Sequence, residues 1–316
     1  MRALVLDGQP KLRHDYPDPR PGPGESLVRV RMAGICGTDL ELVRGYMSYR
    51  GVPGHEFVGE VADSVDDNLV GRRVAGEINA GCGHCAACTG GLERHCPNRT
   101  VLGILGRDGA FAEYLTLPSR NLVSIADSIP DELAVFIEPF AAAYEIFEQT
   151  TLAVGDRILV LGDGRLGAAV AMVLWAESHD LVVGGHHHEK LELLAALGIK
   201  VQLEAKLSRG YDVVIDCTGR AEGFNRALEL LRPRGKLVLK STAAAGASMN
   251  LARLVIDEIT VIGSRCGRFG AAVDAIQSGI VDPRPLISGL YPLDDALAAL
   301  QAAADPMNFK ILLTNS

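Results

Sequence analysis

The sequence contains no apolar run on the order of 18 residues, so nothing in it has the length of a membrane-spanning helix. Its opening, MRALVLDGQPKLRHDYPDPRPGPGE, has neither a basic segment nor an apolar stretch behind one. No secretory leader is therefore expected, and the protein is placed in the cytoplasm. An excess of base is also missing: 31 Lys and Arg face 39 Asp and Glu, a formal net charge of −8. That balance repels phosphate backbones and excludes nucleic acid as an expected partner. No internal repeat or low-complexity tract appears, and 48% apolar against 22% charged residues argues against disorder.

What is present fills two domains, since 316 residues exceed the usual size of one. The first 130 or so residues are β-rich: LVRVRMA alternates, and FVGEVADSV, RRVAGE and AEYLTL follow between Gly and Pro. From Asp156 the texture changes to RILVLG and a helix over 166–176, LVVGG and EKLELLAALG, YDVVID and a helix over 221–231, then KLVLK. Strands alternating with helices imply βαβ units on a parallel sheet, an α/β fold. Two amphipathic segments and a final FKILLT come after ITVIGS.

Seven cysteines is an odd count, and Cys82, Cys85, Cys88 and Cys96 crowd into GCGHCAACTGGLERHC. In a cytoplasmic chain that array reads as a metal site rather than disulfides. Thiolates at about 2.3 Å around a tetrahedral zinc need short spacers and tight turns, which Gly81, Gly83 and Gly90 supply. A closed four-sulfur site has no position for substrate, so this zinc is expected to be structural. Cys217 and Cys266 read as packing.

Gly162, Gly164 and Gly167 form G-x-G-x-x-G in RILVLGDGRLGAAVAMVL, between a strand and a helix. Bare backbone there approaches a pyrophosphate lying on the helix N-terminus, so Arg165 and Leu166 join the three glycines as cofactor-binding candidates. An acid about 20 residues on normally holds the adenosine ribose. The second strand instead ends in Gly184 and Gly185, followed by His186, His187 and His188. Either His186 or His187 meets a 2′-phosphate or the turn is merely solvated; with Gly185 in the acid's place, NADP is expected to serve at least as well as NAD.

Cys36 follows an alternating strand in AGICGTD, and His55 and Glu56 lie in VPGHEFVGE. Glu138 precedes Pro139 in VFIEPF and is expected at a helix mouth, with the proline at the first helical position. Spacing alone makes none of these a site. Together with RDGAFAEYL, the four-cysteine lobe and LGDGRLG, however, the motifs run nearly end to end, and the chain resembles the zinc-containing medium-chain dehydrogenases of alcohol and polyol type.

The resemblance implies a GroES-like catalytic domain over 1–138, completed by 266–316, and a Rossmann doubly wound parallel sheet over 139–265. It implies two zinc ions per chain and NADP or NAD. The catalytic zinc falls to Cys36, His55 and either Glu56 or Glu138, with one position open to a small alcohol, polyol or sugar in a cleft between domains. There the ion acts as a Lewis acid while hydride passes to the nicotinamide. Thr38 is kept as a catalytic candidate, whereas Glu41 stands where many relatives have the histidine that relays the alcohol proton outward, and its carboxylate serves in that place only if its pKa is raised. Asp39 either orients a zinc ligand or caps the helix that begins beside it. Lys240, Arg265 and Arg268 are weaker candidates near the sheet's carboxyl edge. A homo-oligomer is also implied, and the rival reading is a non-catalytic protein that binds zinc and NAD(P).

Overall fold

A computed structural model gives the architecture and describes residues 1–241 and 251–315. The chain divides into two compact units, Met1–Glu138 with Ala272–Ser316, and Pro139–Ala271.

The first unit opens with a hairpin of β1 (Ala3–Asp7) and β2 (Gln9–Arg13), turned at Gly8 with φ +76°. The long β3 (Glu25–Gly34) follows the strand period: Ser26, Val28 and Val30 face inward while Arg29 and Arg31 are exposed. After α1 (Gly37–Val43) come β4 (Glu56–Ser64), β5 (Arg73–Gly76), β6 (Asn79–Ala80), α2 (Ala86–Thr89), β7 (Thr100–Val101), β8 (Tyr114–Pro118), β9 (Leu122–Ser124) and α3 (Asp131–Ala134). Strand β3 pairs antiparallel with both β4 and β8, which makes it the backbone of the unit.

Helix α4 (Ile137–Gln149) starts one residue before Glu138, not at Pro139 as expected. Pro139 is tolerated inside the first turn because the first four N–H groups of a helix have no partner there in any case.

The second unit holds β10 (Ile158–Leu161), α5 (Arg165–Ala176), β11 (Leu181–Gly185), α6 (His188–Ala196), β12 (Lys200–Leu203), β13 (Tyr211–Asp216), α7 (Ala221–Leu230), β14 (Leu231–Leu239), α8 (Leu251–Ile256) and β15 (Thr260–Gly263). Its six strands are parallel in the order β12-β11-β10-β13-β14-β15. This is the doubly wound order whose topological switch lies between the first and fourth strands, here β10 and β13. All four residues of β10 are buried, as a strand covered on both faces requires. Helix α5 is buried from Gly167 through Leu174, which explains why its sequence is apolar all round.

The chain then returns through α9 (Phe269–Gln277), β16 (Ile287–Pro292), α10 (Ala296–Ala304) and β17 (Lys310–Thr314). Strand β17 lies parallel to β16 and antiparallel to β3, and completes a seven-stranded sheet. At the junction Gly34 pairs with Glu56 on one side and with Leu312 on the other.

Candidate metal centres and cofactor cradle

Cys36 is the extended residue that caps α1, just beyond the end of β3, and His55 and Glu56 lead into β4. One ligand atom from each of the three lies within 4.8 Å of the others. Asp39 ties this arrangement together from a fully buried position. Its Oδ2 accepts the Cys36 N–H at 2.8 Å, its Oδ1 accepts the Gly54 N–H at 3.1 Å, and Oδ1 lies 3.3 Å from His55 Nδ1. Asp39 therefore caps the helix and also faces the histidine. His55 Nδ1 is buried and forms no aligned hydrogen bond. Burial works to lower the pKa of His55, but Asp39 and Cys36 outweigh it and raise the ring well above its usual range.

Glu56 and Lys310 form a buried ion pair, Oε2 to Nζ 2.5 Å, with side chains 1% and 4% exposed. Gly34 makes room for it: a Cβ there would lie 2.4 Å from Glu56 Oε2 and 3.3 Å from Lys310 Cδ. With Cys36 as thiolate and His55 neutral, the states that metal binding requires, three anions (Cys36, Asp39 and Glu56) face one cation among the described residues, Lys310. The deficit of two charges is what a divalent ion supplies, so this donor set fits zinc.

Glu138, in the first turn of α4, does not join the cluster of ligand atoms. Of the other sequence candidates, Thr38 places its hydroxyl 4.0 Å from the Cys36 sulfur. Glu41 points elsewhere: it is half-exposed and paired with Arg44 at 2.5 Å. Lys310 and Gly34 are not singled out by sequence, because their relevance depends on strand pairing across the whole chain.

The second cluster gathers Cys82, Cys85, Cys88 and Cys96, again with ligand atoms within 4.8 Å of one another. Sulfurs around a tetrahedral zinc with bonds of about 2.3 Å stand about 3.8 Å apart. The distances Cys85 to Cys96, 3.6 Å, and Cys82 to Cys88, 4.0 Å, bracket that value, and no disulfide forms. The N–H groups of His84 and Cys85 pull Cys82 down to about 6. Burial, together with the neighbouring thiols, pushes Cys88 up to about 12. Four thiolates cannot share this space without a cation among them, so these residues also fit zinc.

In the second unit β10 ends in the glycine-rich turn. Gly162 has φ +114°, a conformation that favours glycine, and its N–H bonds Gly184 O at 2.8 Å. A Cβ on Gly167 would lie 1.9 Å from Gly162 O, so glycine is required for helix and strand to approach. A Cβ on Gly164 would meet nothing within 4 Å. This open position, immediately before Arg165 and Leu166 at the start of α5, is the opening a pyrophosphate needs, so the loop fits a dinucleotide.

At the end of β11 the strand position itself carries no acid, as Gly185 implies, but a carboxylate stands beside it in space. It comes from Asp163 inside the glycine-rich loop: its Oδ2 accepts the N–H groups of His186 and His187 at 2.8 and 2.6 Å. The His187 ring Nδ1 lies 3.0 Å from Asp163 Oδ1, and His186 Nε2 lies 2.7 Å from Glu204. Both histidines thus have acidic neighbours. Lys240, just past β14, is buried and donates to Ser264 Oγ at 3.0 Å and Arg265 O at 2.6 Å.

Residues 22–127 match the alcohol dehydrogenase GroES-like domain, and residues 166–278 match the zinc-binding dehydrogenase family. The L-threonine 3-dehydrogenase of Streptomyces coelicolor is 32% identical over 341 residues, covering 99% of each chain. The chain belongs to the zinc-containing medium-chain dehydrogenases. Two solved dehydrogenases show the same fold. An alcohol dehydrogenase from Escherichia coli CFT073 complexed with NADH is 27% identical, with a TM-score of 0.91 over 100% of this chain and 99% of that one. A zinc-binding dehydrogenase from Sinorhizobium meliloti 1021 bound to NADP is 26% identical, with a TM-score of 0.90 over 99% of each. This dehydrogenase is an oxidoreductase that uses zinc and NAD(P) to interconvert an alcohol and its carbonyl compound. Among the described residues no helix is long and apolar enough to cross a membrane.

Proposed function

We propose that Cys36, His55 and Glu56 hold the catalytic zinc and that Cys82, Cys85, Cys88 and Cys96 hold a structural one. The observation that carries the first assignment is the convergence of three buried or half-buried donors beside Asp39 and Lys310, short of positive charge by two. When bound, zinc supplies Lewis acidity and the nicotinamide takes up or gives back the hydride.

The chain's own residues do the rest. Asp39 holds Cys36 and His55 at their spacing, and Lys310 holds Glu56 in place. The Thr38 hydroxyl, adjacent to the Cys36 sulfur, carries the proton between substrate and solvent; Glu41, held by Arg44, stays outside that path. The glycines at 162, 164 and 167, with Arg165 and Leu166, cradle the pyrophosphate, and Gly185, His186 and His187 border the adenosine ribose.

The substrate we infer is a small polar molecule with a secondary hydroxyl, as a polyol, a sugar or a hydroxy amino acid offers; the secondary hydroxyl of L-threonine in the Streptomyces relative supports this class. Zinc content and turnover of Glu56→Ala and Glu138→Ala, measured on a panel of secondary alcohols, test the ligand set. Loss of one zinc and of activity in Glu56→Ala alone is expected; that pattern in Glu138→Ala with Glu56→Ala active would replace Glu56 as the third ligand.

The homo-oligomer is proposed to form through the edge of the second unit's sheet. There β15 has no outer neighbour among the described residues, and Leu251, Val255 and Ile256 on α8 and Val261 on β15 are exposed apolar residues. A monomeric mass in light scattering for the wild type would refute it.

A further inference from the structure

Position 185 is where a strand-end acid would hold the adenosine ribose, and it has no side chain. The space is nonetheless filled. A Cβ built on Gly185 would lie 2.4 Å from Asp163 Oδ2 and 2.5 Å from its Cβ and Cγ, so the carboxylate stands where a side chain from the strand would leave. Asp163 is 5% exposed and fixed by the three contacts to His186 and His187, which leaves it no freedom to withdraw. The local bases are already turned to acids: His187 to Asp163 and His186 to Glu204, with Arg226 3.6 Å from Glu204 Oε1. A 2′-phosphate brought to this turn meets two carboxylates, and the two histidines and Arg226 that could receive it already face those acids.

We propose that Asp163, though it belongs to the glycine-rich loop, performs the task of the missing strand-end acid and makes this dehydrogenase prefer NAD over NADP. The inference rests on reading that loop as the cofactor cradle. Gly185 and Asp163 are two halves of one exchange: the acid has moved from the strand to the loop, and the strand has given up its side chain to admit it. The discrimination is electrostatic, with a fixed anion excluding the extra phosphate, so it acts in binding as well as in turnover.

Calorimetric titration of the zinc-loaded wild type with 5′-AMP, 2′,5′-ADP, NAD and NADP reads this directly, without chemistry. The phosphate-free member of each pair is expected to bind at least about tenfold more tightly, because a further anion brought beside Asp163 gains none of the bases already committed to the two acids. Asp163→Ser should bring the ratio to about unity, and the double exchange Asp163→Gly with Gly185→Asp should restore it by returning the acid to the strand. Equal or tighter binding of 2′,5′-ADP by the wild type, or an unchanged ratio in Asp163→Ser, would overturn the assignment. Should Asp163→Ser fail to fold, the wild type and the double exchange decide between these outcomes. If no nucleotide binds the folded protein at all, the cradle itself is misplaced and the inference falls with it, a result distinct from equal binding.

Discussion

Replacing Lys310 by Met puts the charge account of the first metal centre to a quantitative test. The Glu56–Lys310 pair is buried to within a few per cent and closed at 2.5 Å, so removing the cation leaves a carboxylate with no solvent to turn to. Breaking such a pair from one side costs about 3–5 kcal/mol. That figure applies when no metal is present, because Lys310 is then the cation in direct contact with Glu56. With zinc bound Glu56 remains compensated, and the cost should fall to about 1 kcal/mol, the scale of an ordinary substitution. The difference of about 2–4 kcal/mol must reappear in metal affinity, since the cycle of folding and binding closes, and it corresponds to zinc held about 30-fold to nearly 1,000-fold more tightly by Lys310→Met. Denaturant unfolding of both proteins, with the labile ion removed by a mild chelator and again in zinc-replete buffer, gives the two costs; competition with a chromophoric chelator gives the affinity. The double variant Lys310→Met with Glu56→Gln should recover most of the loss, because the carboxylate that had lost its partner is then gone. Equal destabilisation with and without zinc, or a loss below about 1 kcal/mol in the metal-free protein, would show that the pair does not balance the metal site as argued.

Cys85→Ser should remove one zinc from the protein, open residues 82–96 to proteolysis and lower the thermal midpoint, while cofactor binding in the other unit persists; two zinc ions retained per chain would refute the lobe's assignment. The pH dependence of Asp163→Asn has a definite sign. Burial raises the pKa of Asp163, but the His187 N–H, the His187 ring and the His186 N–H outweigh it and hold the carboxyl below its ordinary 3.8. Its stabilisation is therefore fully present above about pH 4 and disappears as pH falls through the depressed value in the folded protein. The gap in stability between wild type and Asp163→Asn should stay level from pH 7 to about pH 5 and close below pH 4; a gap that widens on acidification would contradict the hydrogen bonding seen at the turn. Gly34→Ala should destabilise the first unit, because its methyl group would displace the Glu56 carboxylate; a melting temperature equal to wild type would show that the pair has room to shift.

The parts of this protein legible in the sequence are those whose geometry is local. The four-cysteine lobe folds within 15 residues, from Cys82 to Cys96, and its spacing alone announces a tetrahedral ion. The glycine-rich turn is likewise read from three residues between a strand and a helix. The first metal centre is harder, since Cys36 and His55 come from different segments and only buried Asp39 shows how they are joined. Lys310 is out of reach: its place beside Glu56 is set by β17 pairing with β3, and β3 with β4, a contact across 254 residues that periodicity does not encode. The carboxylate at the end of β11 escapes for a related reason. Looking for an acid at the conventional offset finds Gly185, whereas the acid approaches through space from the preceding loop.

The pairing of β17 with β3 also fixes an order of events during synthesis. The second unit lies between the two parts of the first, and each neighbouring pair among its strands β10, β11 and β12 is joined by a short helical crossover, so those contacts form between segments made close together in time. The first unit has no such freedom. Its β3 and β4 emerge early, with Glu56 already at the sheet, yet the strand that brings Lys310 is made only after the whole second unit. Until then Glu56 lacks Lys310, the cation that faces it in the folded protein. Metal captured at this stage would compensate Glu56 before the sheet closes, making zinc supply a determinant of folding yield as well as of activity.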